Sequence, residues 1–272
     1  MTQLTAGEFQ ATVMGYYHAH GRHDLPWRQP ETNDLFDPYK ILVSEIMLQQ
    51  TQVARVIPKY RLFLQAFPGI RVLAQSPFSE VLSAWSGLGY NRRAMYLWET
   101  AKIIDGSSTF PQSLEELQKL PGIGPNTAGA IVAYAFNRPV SFIETNIRTV
   151  YISHFFSGQH AVSDASIREL VNETLDRGQP RQWYWALMDY GSYLKISVGN
   201  VNRSSSNYVR QSNFAGSNRQ IRGYVIRELL KKQRNIRELQ DLIDDSRLGA
   251  VLSTLLDEHM IVERNGVYSI SP

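Results

Sequence analysis

The chain contains no cysteine. That excludes disulfides, zinc–thiolate sites, iron–sulfur clusters and thiol nucleophiles in one step, though it leaves the compartment open. Neither sign of charge is in large excess: 28 Lys and Arg stand against 25 Asp and Glu, a formal +3 at pH 7. No apolar run approaches the roughly 20 residues of a membrane span, and the first residues lack the apolar core of a secretion signal. Strand-like alternation is nearly missing from the first 200 residues. What is present is an ordinary globular mixture, 43% hydrophobic and 19% charged over 272 residues. That is enough to bury a core and to build two modest domains, or one with an appendage. The expectation is a soluble, cytoplasmic protein.

The pattern along the chain is helical: 5–20, 39–53 (apolar Ile41, Leu42, Ile46 and Leu48), 58–67, 79–85 and 92–104. The turn Gly87-Leu88-Gly89-Tyr90 separates the last two. Ser113 followed by Glu116 fits a capping box. The helix it opens stops at Pro121-Gly122-Ile123-Gly124-Pro125, where Pro125 suits the first position of the next helix, to about 136. Helices are expected again at 147–156, 163–175 and 182–194. Residues 197–218 are rich in Ser, Asn and Gly and read as a linker or basic arm. Three more helical patterns, 219–232, 236–244 and 248–258, precede two alternating runs, 260–263 and 267–270, around Asn265-Gly266, a strong hairpin signal. That order fits a winged helix-turn-helix, a module that often contacts nucleic acid or protein. The expected organisation is therefore 1–196, mainly α in two helical lobes, the arm 197–218, and a small α+β winged-helix-like domain, 219–272.

Three segments carry chemistry. The glycines of Leu120-Pro121-Gly122-Ile123-Gly124 permit a tight turn whose backbone N–H groups, with the following helix start, can hold a phosphate. Short Gly-x-Gly motifs are more often plain turns, but the longer pattern between helices is more specific. Glu144 falls at a loop-to-helix junction, where a carboxylate alone would be a helix-end charge worth a fraction of a kcal/mol. Glu45 lies inside an apolar helical run, where a carboxyl is costly unless paired or functional. The polar run Gln49 to Gln52 follows it. The histidines, His18, His20, His23, His154, His160 and His259, show no metal-ligand spacing, and no metal is expected. Trp183, Tyr184 and Trp185 read as core.

These segments, in this order, resemble the helix-hairpin-helix DNA glycosylase superfamily (HhH-GPD), and within it most of all the adenine glycosylase MutY family. The matching stretches are Leu25-Pro26-Trp27-Arg28, Asp37-Pro38-Tyr39-Lys40, Ser44 to Gln52, Trp85 to Tyr90, Leu120 to Ala130 and Ala186 to Gly191, over roughly residues 8–195. The resemblance implies the superfamily's fold and a base-removing enzyme acting on double-stranded DNA that carries a damaged or mispaired base. It implies no membrane role, action as a monomer, and a place at the nucleoid if the source is bacterial. Glu45 matches the acid that protonates the departing base. Glu144 matches the carboxylate that stabilises the oxocarbenium-like sugar, and Asn146 a neighbouring positioning residue. Trp27, Arg28 and Asp189 align near the extruded base. Leu48, Gln49, Gln50, Thr51 and Tyr90 align with residues that probe the opposite strand or wedge the duplex, and Gly122, Ile123 and Gly124 with the phosphate-holding hairpin.

The chain departs from the pattern at four places. Glu144 stands where the superfamily normally has aspartate. Asn126 stands where bifunctional relatives such as endonuclease III carry the lysine that forms a Schiff base, which implies a glycosylase without lyase activity. The aligned positions of the four cluster cysteines fall near Lys195, Asn202, Ser205 and Gln211, so no iron–sulfur cluster and no other cofactor is expected. The basic arm Arg203, Arg210, Arg219 and Arg222 is the expected substitute in facing phosphate. Residues 219–272 are too short for the β-rich domain with which studied adenine glycosylases read 8-oxoguanine. Three readings stay open: adenine removal opposite guanine or 8-oxoguanine, removal of mismatched uracil, thymine or hypoxanthine, and a catalytically silent lesion binder.

Overall fold

The structure is a computed structural model that describes residues 4–107, 109–210 and 213–272. The helices are α1 (Ala6–His20), α2 (Pro38–Leu48), α3 (Val53–Ala66), α4 (Ile70–Gln75), α5 (Phe78–Trp85), α6 (Arg92–Asp105), α7 (Leu114–Gln118), α8 (Pro125–Phe136), α9 (Thr145–Phe155), α10 (Asp164–Thr174), α11 (Pro180–Ser197), α12 (Asn218–Lys231), α13 (Ile236–Leu242) and α14 (Leu248–Asp257). Short 3₁₀ turns lie at Pro26–Arg28 and Val201–Ser204. The strands are β1 (Arg234–Asn235), β2 (Ile261–Arg264) and β3 (Val267–Ile270). The fold is mainly α with a small antiparallel sheet near the C-terminus, as expected.

Several helix starts follow from local chemistry. Thr5 and Ser113 make full capping boxes with Glu8 and Glu116, each satisfying otherwise orphaned amides. Asp37 Oδ1 accepts the amide of Tyr39 at 2.8 Å and so opens α2. The run expected to be helical over 39–53 breaks at Leu48, because Gln50 takes a left-handed φ of 53°. Helix α3 then begins at Val53 rather than at Pro58, which sits inside it. Helix α4 went unanticipated, since six residues are too few to show a period.

The chain forms two compact units: Met1–Glu45 with Pro111–Lys119 and Ile123–Arg210, and Ile46–Phe110 with Leu120–Gly122 and Gln211–Pro272. In the first, α11 packs against α9 and α1. Its core is aromatic: the Phe9 ring centroid lies 5.2 Å from Tyr151, 5.0 Å from Phe155 and 6.0 Å from Trp183. Gly191 sets the approach of α11 to α9, since a Cβ there would sit 2.2 Å from the Asn146 carbonyl oxygen. In the second unit the sheet order is β1-β3-β2. Asn265 and Gly266, at φ 54° and 78°, make the tight turn between β2 and β3, with Arg264 opposite Val267 and Ile261 opposite Ile270. Helix α12 packs on α14 and β3, the helices-plus-hairpin arrangement that the sequence predicts for 219–272. Those residues cluster with residues 46–110, whereas Arg203 and Arg210 belong to the first unit.

Candidate active site

Glu45 lies in the last turns of α2, only 9% exposed, following the fully buried Leu42 and Val43 in the chain. Its carboxyl has no hydrogen-bond partner among the described residues. Glu144, in the same unit, occupies the N-cap position of α9 with extended backbone, yet its side chain makes no capping hydrogen bond. Its carboxylate is therefore not engaged in ending the helix. Two contacts fix the backbone around it. Asn126, in the first turn of α8, accepts the Ile143 amide on Oδ1 at 3.2 Å. Gly129 lets Phe142 close on α8, where a Cβ would stand 2.6 Å from the phenylalanine Cβ. Asn146 is half-buried in the first turn of α9, its carbonyl under Gly191.

Burial raises the proton affinity of both carboxyls. Glu45 is pushed well above the usual carboxylate range by burial and further by the Glu144 charge, while Arg28 pulls it back. Glu144 is raised by burial. Two carboxyls so placed favour sharing a proton near neutral pH, one acid beside one anion. Tyr134 of α8 stands in the same environment: its phenol is held neutral by burial and then by the charges of Glu45 and Glu144. Its ring stacks on Trp185 at 5.9 Å, and the Arg28 guanidinium lies 5.2 Å from the Trp185 centroid.

Arg28 is anchored by Asp189 of α11 through Nη1 at 2.8 Å and Nη2 at 2.9 Å. The same carboxylate, 3% exposed, also accepts the Arg22 amide at 2.7 Å, its Nε at 2.7 Å and its Nη2. Burial alone would raise Asp189, but the Arg28 hydrogen bonds and both guanidinium charges hold it below its ordinary value. With five donors on its two oxygens, Asp189 has no free lone pair to offer a base. It fixes Arg28, whose Nε is buried without a partner among the described residues. Trp27 is buried beside it in the 3₁₀ turn.

In the second unit the organiser is a residue the motifs did not single out. Arg93, buried in α6, donates Nη1 to the carbonyls of Ile46 and Met47 at 2.9 Å and of Gln49, and Nη2 to Thr51 Oγ1 at 3.0 Å and the Gly89 carbonyl at 3.1 Å. One guanidinium thus collects the C-terminal carbonyls of α2, where a cation is favoured, and ties the Leu48–Thr51 turn to the Gly87–Tyr90 turn. Burial lowers its pKa to about 10. Leu48, Gln49 and Thr51 are half-buried, and Gln50 is exposed. Tyr90 takes a left-handed φ of 49°; its ring lies 5.3 Å from the Arg93 guanidinium, and its hydroxyl accepts from Arg219 Nη1 at 2.8 Å. Gln49 Nε2 donates to the Gly122 carbonyl at 3.3 Å. Gly122, at φ 72°, packs under Tyr96, where a Cβ would be 2.6 Å from the ring. Ile123 is buried. Gly124 is the N-cap of α8 with Pro125 next and no side-chain cap, which leaves first-turn amides open to an anion.

The expected basic arm is divided. Arg203 and Arg210 are exposed. Arg222 is paired with Glu258, which also binds Arg92, so one carboxylate is shared by two guanidinium groups. The positions aligned with cluster cysteines do not fit a cluster. Asn202 is 4% exposed and donates Nδ2 to Thr149 Oγ1 at 2.7 Å. Ser205 is buried where Val162 pairs with its neighbours, accepting from the Ser206 amide at 3.0 Å and donating to the Ser204 carbonyl at 2.8 Å. Lys195 is exposed, and Gln211 lies outside the described residues. Among the described residues no group of three His, Asp or Glu side chains is placed to hold a metal ion, and no helix is long and apolar enough to cross a membrane.

Residues 43–175 match the model of the HhH-GPD superfamily base excision DNA repair protein. The chain is 39% identical over 197 residues to an adenine DNA glycosylase of Buchnera aphidicola subsp. Baizongia pistaciae (strain Bp), covering 70% of this chain and 54% of that protein. It is 40% identical over 136 residues to an adenine DNA glycosylase of Mycolicibacterium smegmatis, covering 49% and 45%. The chain spans about half the length of the curated relatives it matches. Among solved structures it resembles a thermostable thymine-DNA glycosylase at 26% identity with a TM-score of 0.59, covering 69% of this chain and 86% of that one.

Proposed function

We propose, from the match of residues 43–175 to the HhH-GPD superfamily of base excision DNA repair proteins and the likeness to adenine DNA glycosylases, that this chain hydrolyses the N-glycosidic bond of an adenine mispaired with guanine or 8-oxoguanine in duplex DNA. It acts on the duplex as a monomer, with no cofactor. The observation that carries the reading is the pair Glu45 and Glu144, two carboxyls of raised proton affinity in one unit beside Arg28. Glu45 gives its proton to a ring nitrogen of the flipped purine, so that the base leaves neutral as the C1′–N bond breaks. Glu144, as the anion, stabilises the oxocarbenium-like sugar. Water then adds to C1′ and releases its proton to solvent or to Glu45. Asp189 and Arg22 hold Arg28, which keeps the acid from being trapped as a permanently neutral group.

Asn126 has an amide where a Schiff-base reaction needs an amine, so strand cleavage is not part of the reaction. The test is a panel of duplexes with adenine, uracil, thymine or hypoxanthine opposite guanine or 8-oxoguanine. Base release appears as strand breakage that requires hot alkali, and borohydride traps no covalent adduct. Reaction at thymine opposite guanine in preference to adenine would favour a second reading, which the likeness to a thymine-DNA glycosylase supports.

A further inference from the structure

The second unit carries a groove of about 300 Å³ between α12 and the turn that joins α5 to α6. Its floor is apolar, with Leu82 and Ile226. Its rim carries Arg55 from the first turn of α3, Asn91 at the start of α6, and Gln220 and Arg227 of α12. None of its lining residues is acidic. Arg55 and Arg227 are exposed, and neither has a carboxylate partner among the described residues; the one recorded contact of Arg227 is the ring of Tyr224, 5.2 Å away. Arg55 instead adds to the positive field on Arg93. Nearby, Arg92 and Arg222 share the one carboxylate of Glu258, whereas the two guanidinium groups on this groove face no acid that lines it.

The groove adjoins the turn that carries Tyr90, and Arg55 follows directly on the Leu48–Thr51 turn. Three helices also begin around it, and α3, α6 and α12 all lack a side-chain cap. Their first-turn amides add to the arginine charge. We propose that this groove binds the sugar-phosphate backbone of duplex DNA beside Tyr90, with Arg55 and Arg227 each taking a phosphate, which makes α12 a DNA-contacting element. Guanidinium groups favour phosphate oxygens in paired hydrogen bonds. The inference rests on the glycosylase reading for the identity of its ligand.

Gly223 lines the same groove, and a Cβ added there meets nothing within 4 Å. Gly223→Glu therefore places a carboxylate on the groove with no clash and in a helix that favours it over glycine. The experiment measures duplex affinity against salt for the full chain, the double variant Arg55→Ala/Arg227→Ala, Gly223→Glu, and Arg237→Ala on α13, a control that changes net charge by the same one unit as Gly223→Glu. Expected is a loss of about tenfold or more in affinity for the double variant and a fall of about 2 in the log–log salt slope. Gly223→Glu loses affinity similarly with its melting temperature kept, Arg237→Ala stays near wild type, and the single-turnover rate of base release at saturating protein is unchanged throughout.

Wild-type affinity and slope in both groove variants would overturn the proposal while leaving base release standing. A groove for free phosphate would show as stabilisation of the wild type by inorganic phosphate with the variants' duplex binding intact, and that also overturns it. Tight, groove-dependent binding without base release would overturn the glycosylase reading alone. Absence of duplex binding by the wild type would overturn both.

Discussion

Glu45 sets function against stability. A buried carboxyl whose folded proton affinity exceeds its unfolded one (pKa of about 4.3) binds more protons in the native state. Stability therefore falls as pH rises from the unfolded pKa through the raised folded one. Glu45→Gln removes that penalty. The variant should melt higher than wild type at pH 8, by about 2–4 °C for each kcal/mol recovered, and the gap should close near pH 4; equal melting at pH 8 would mean the carboxyl is not held in an unfavourable site. The same raised affinity predicts that base release slows as pH rises through the folded pKa of Glu45. Glu144→Asp tests the extra methylene. Asn126 holds the Ile143 amide and Gly129 admits Phe142, which fixes the backbone leading into Glu144, so shortening the arm should lower the single-turnover rate about tenfold or more, because misplacement near 1 Å is costly. Glu45 was legible as a carboxyl inside an apolar helical run, whereas Glu144 read locally as a helix-end charge and stood out only through the resemblance. Arg22 and Arg93 were not legible. Arg22 acts on Asp189, 167 residues away, and Arg93 on carbonyls 44–47 residues away, and no local pattern announces such partners. The role given to Asp189 by resemblance, beside the base, also needed the structure to show its oxygens taken up by two arginines.

Helices were largely legible because 3.6-residue periodicity and capping residues are local. The winged part was legible through Asn265-Gly266, whereas β1 was not, since two residues carry no alternation and form a strand only by pairing with Val267 and Tyr268 of β3. Close approach between elements was least visible. Gly191 read as part of a motif, but its role is to admit the Asn146 carbonyl. Gly191→Ala should push α11 from the first turn of α9, destabilise the protein by about 1–3 kcal/mol and disturb Glu144; thermal melting and base release read the two effects. Arg93→Met leaves buried carbonyls at the end of α2 without donors. It should destabilise the Leu48–Thr51 turn, seen as faster amide exchange there, by an amount typical of lost charge-assisted hydrogen bonds, about 1.5–3 kcal/mol.

For the whole molecule, a net charge of +3 says little, because where the charge lies decides what it does. Arg92 and Arg222 share one glutamate, Arg22 and Arg28 one aspartate, and Arg55 and Arg227 have no carboxylate among the described residues. DNA affinity should accordingly depend on a few arginines rather than on total charge. Glu45 and Glu144 lie in one compact unit and the Leu48–Thr51 and Gly87–Tyr90 turns in the other. The most direct test of the account compares wild type with Glu45→Gln on duplex containing adenine opposite 8-oxoguanine or guanine, under single-turnover conditions with alkali treatment and a parallel binding assay. The account predicts alkali-dependent breakage by wild type and a loss of about 10²–10⁴ in rate for Glu45→Gln at unchanged duplex affinity. Equal rates for the two proteins, or tight binding by wild type with no base released from any duplex of the panel, would contradict it.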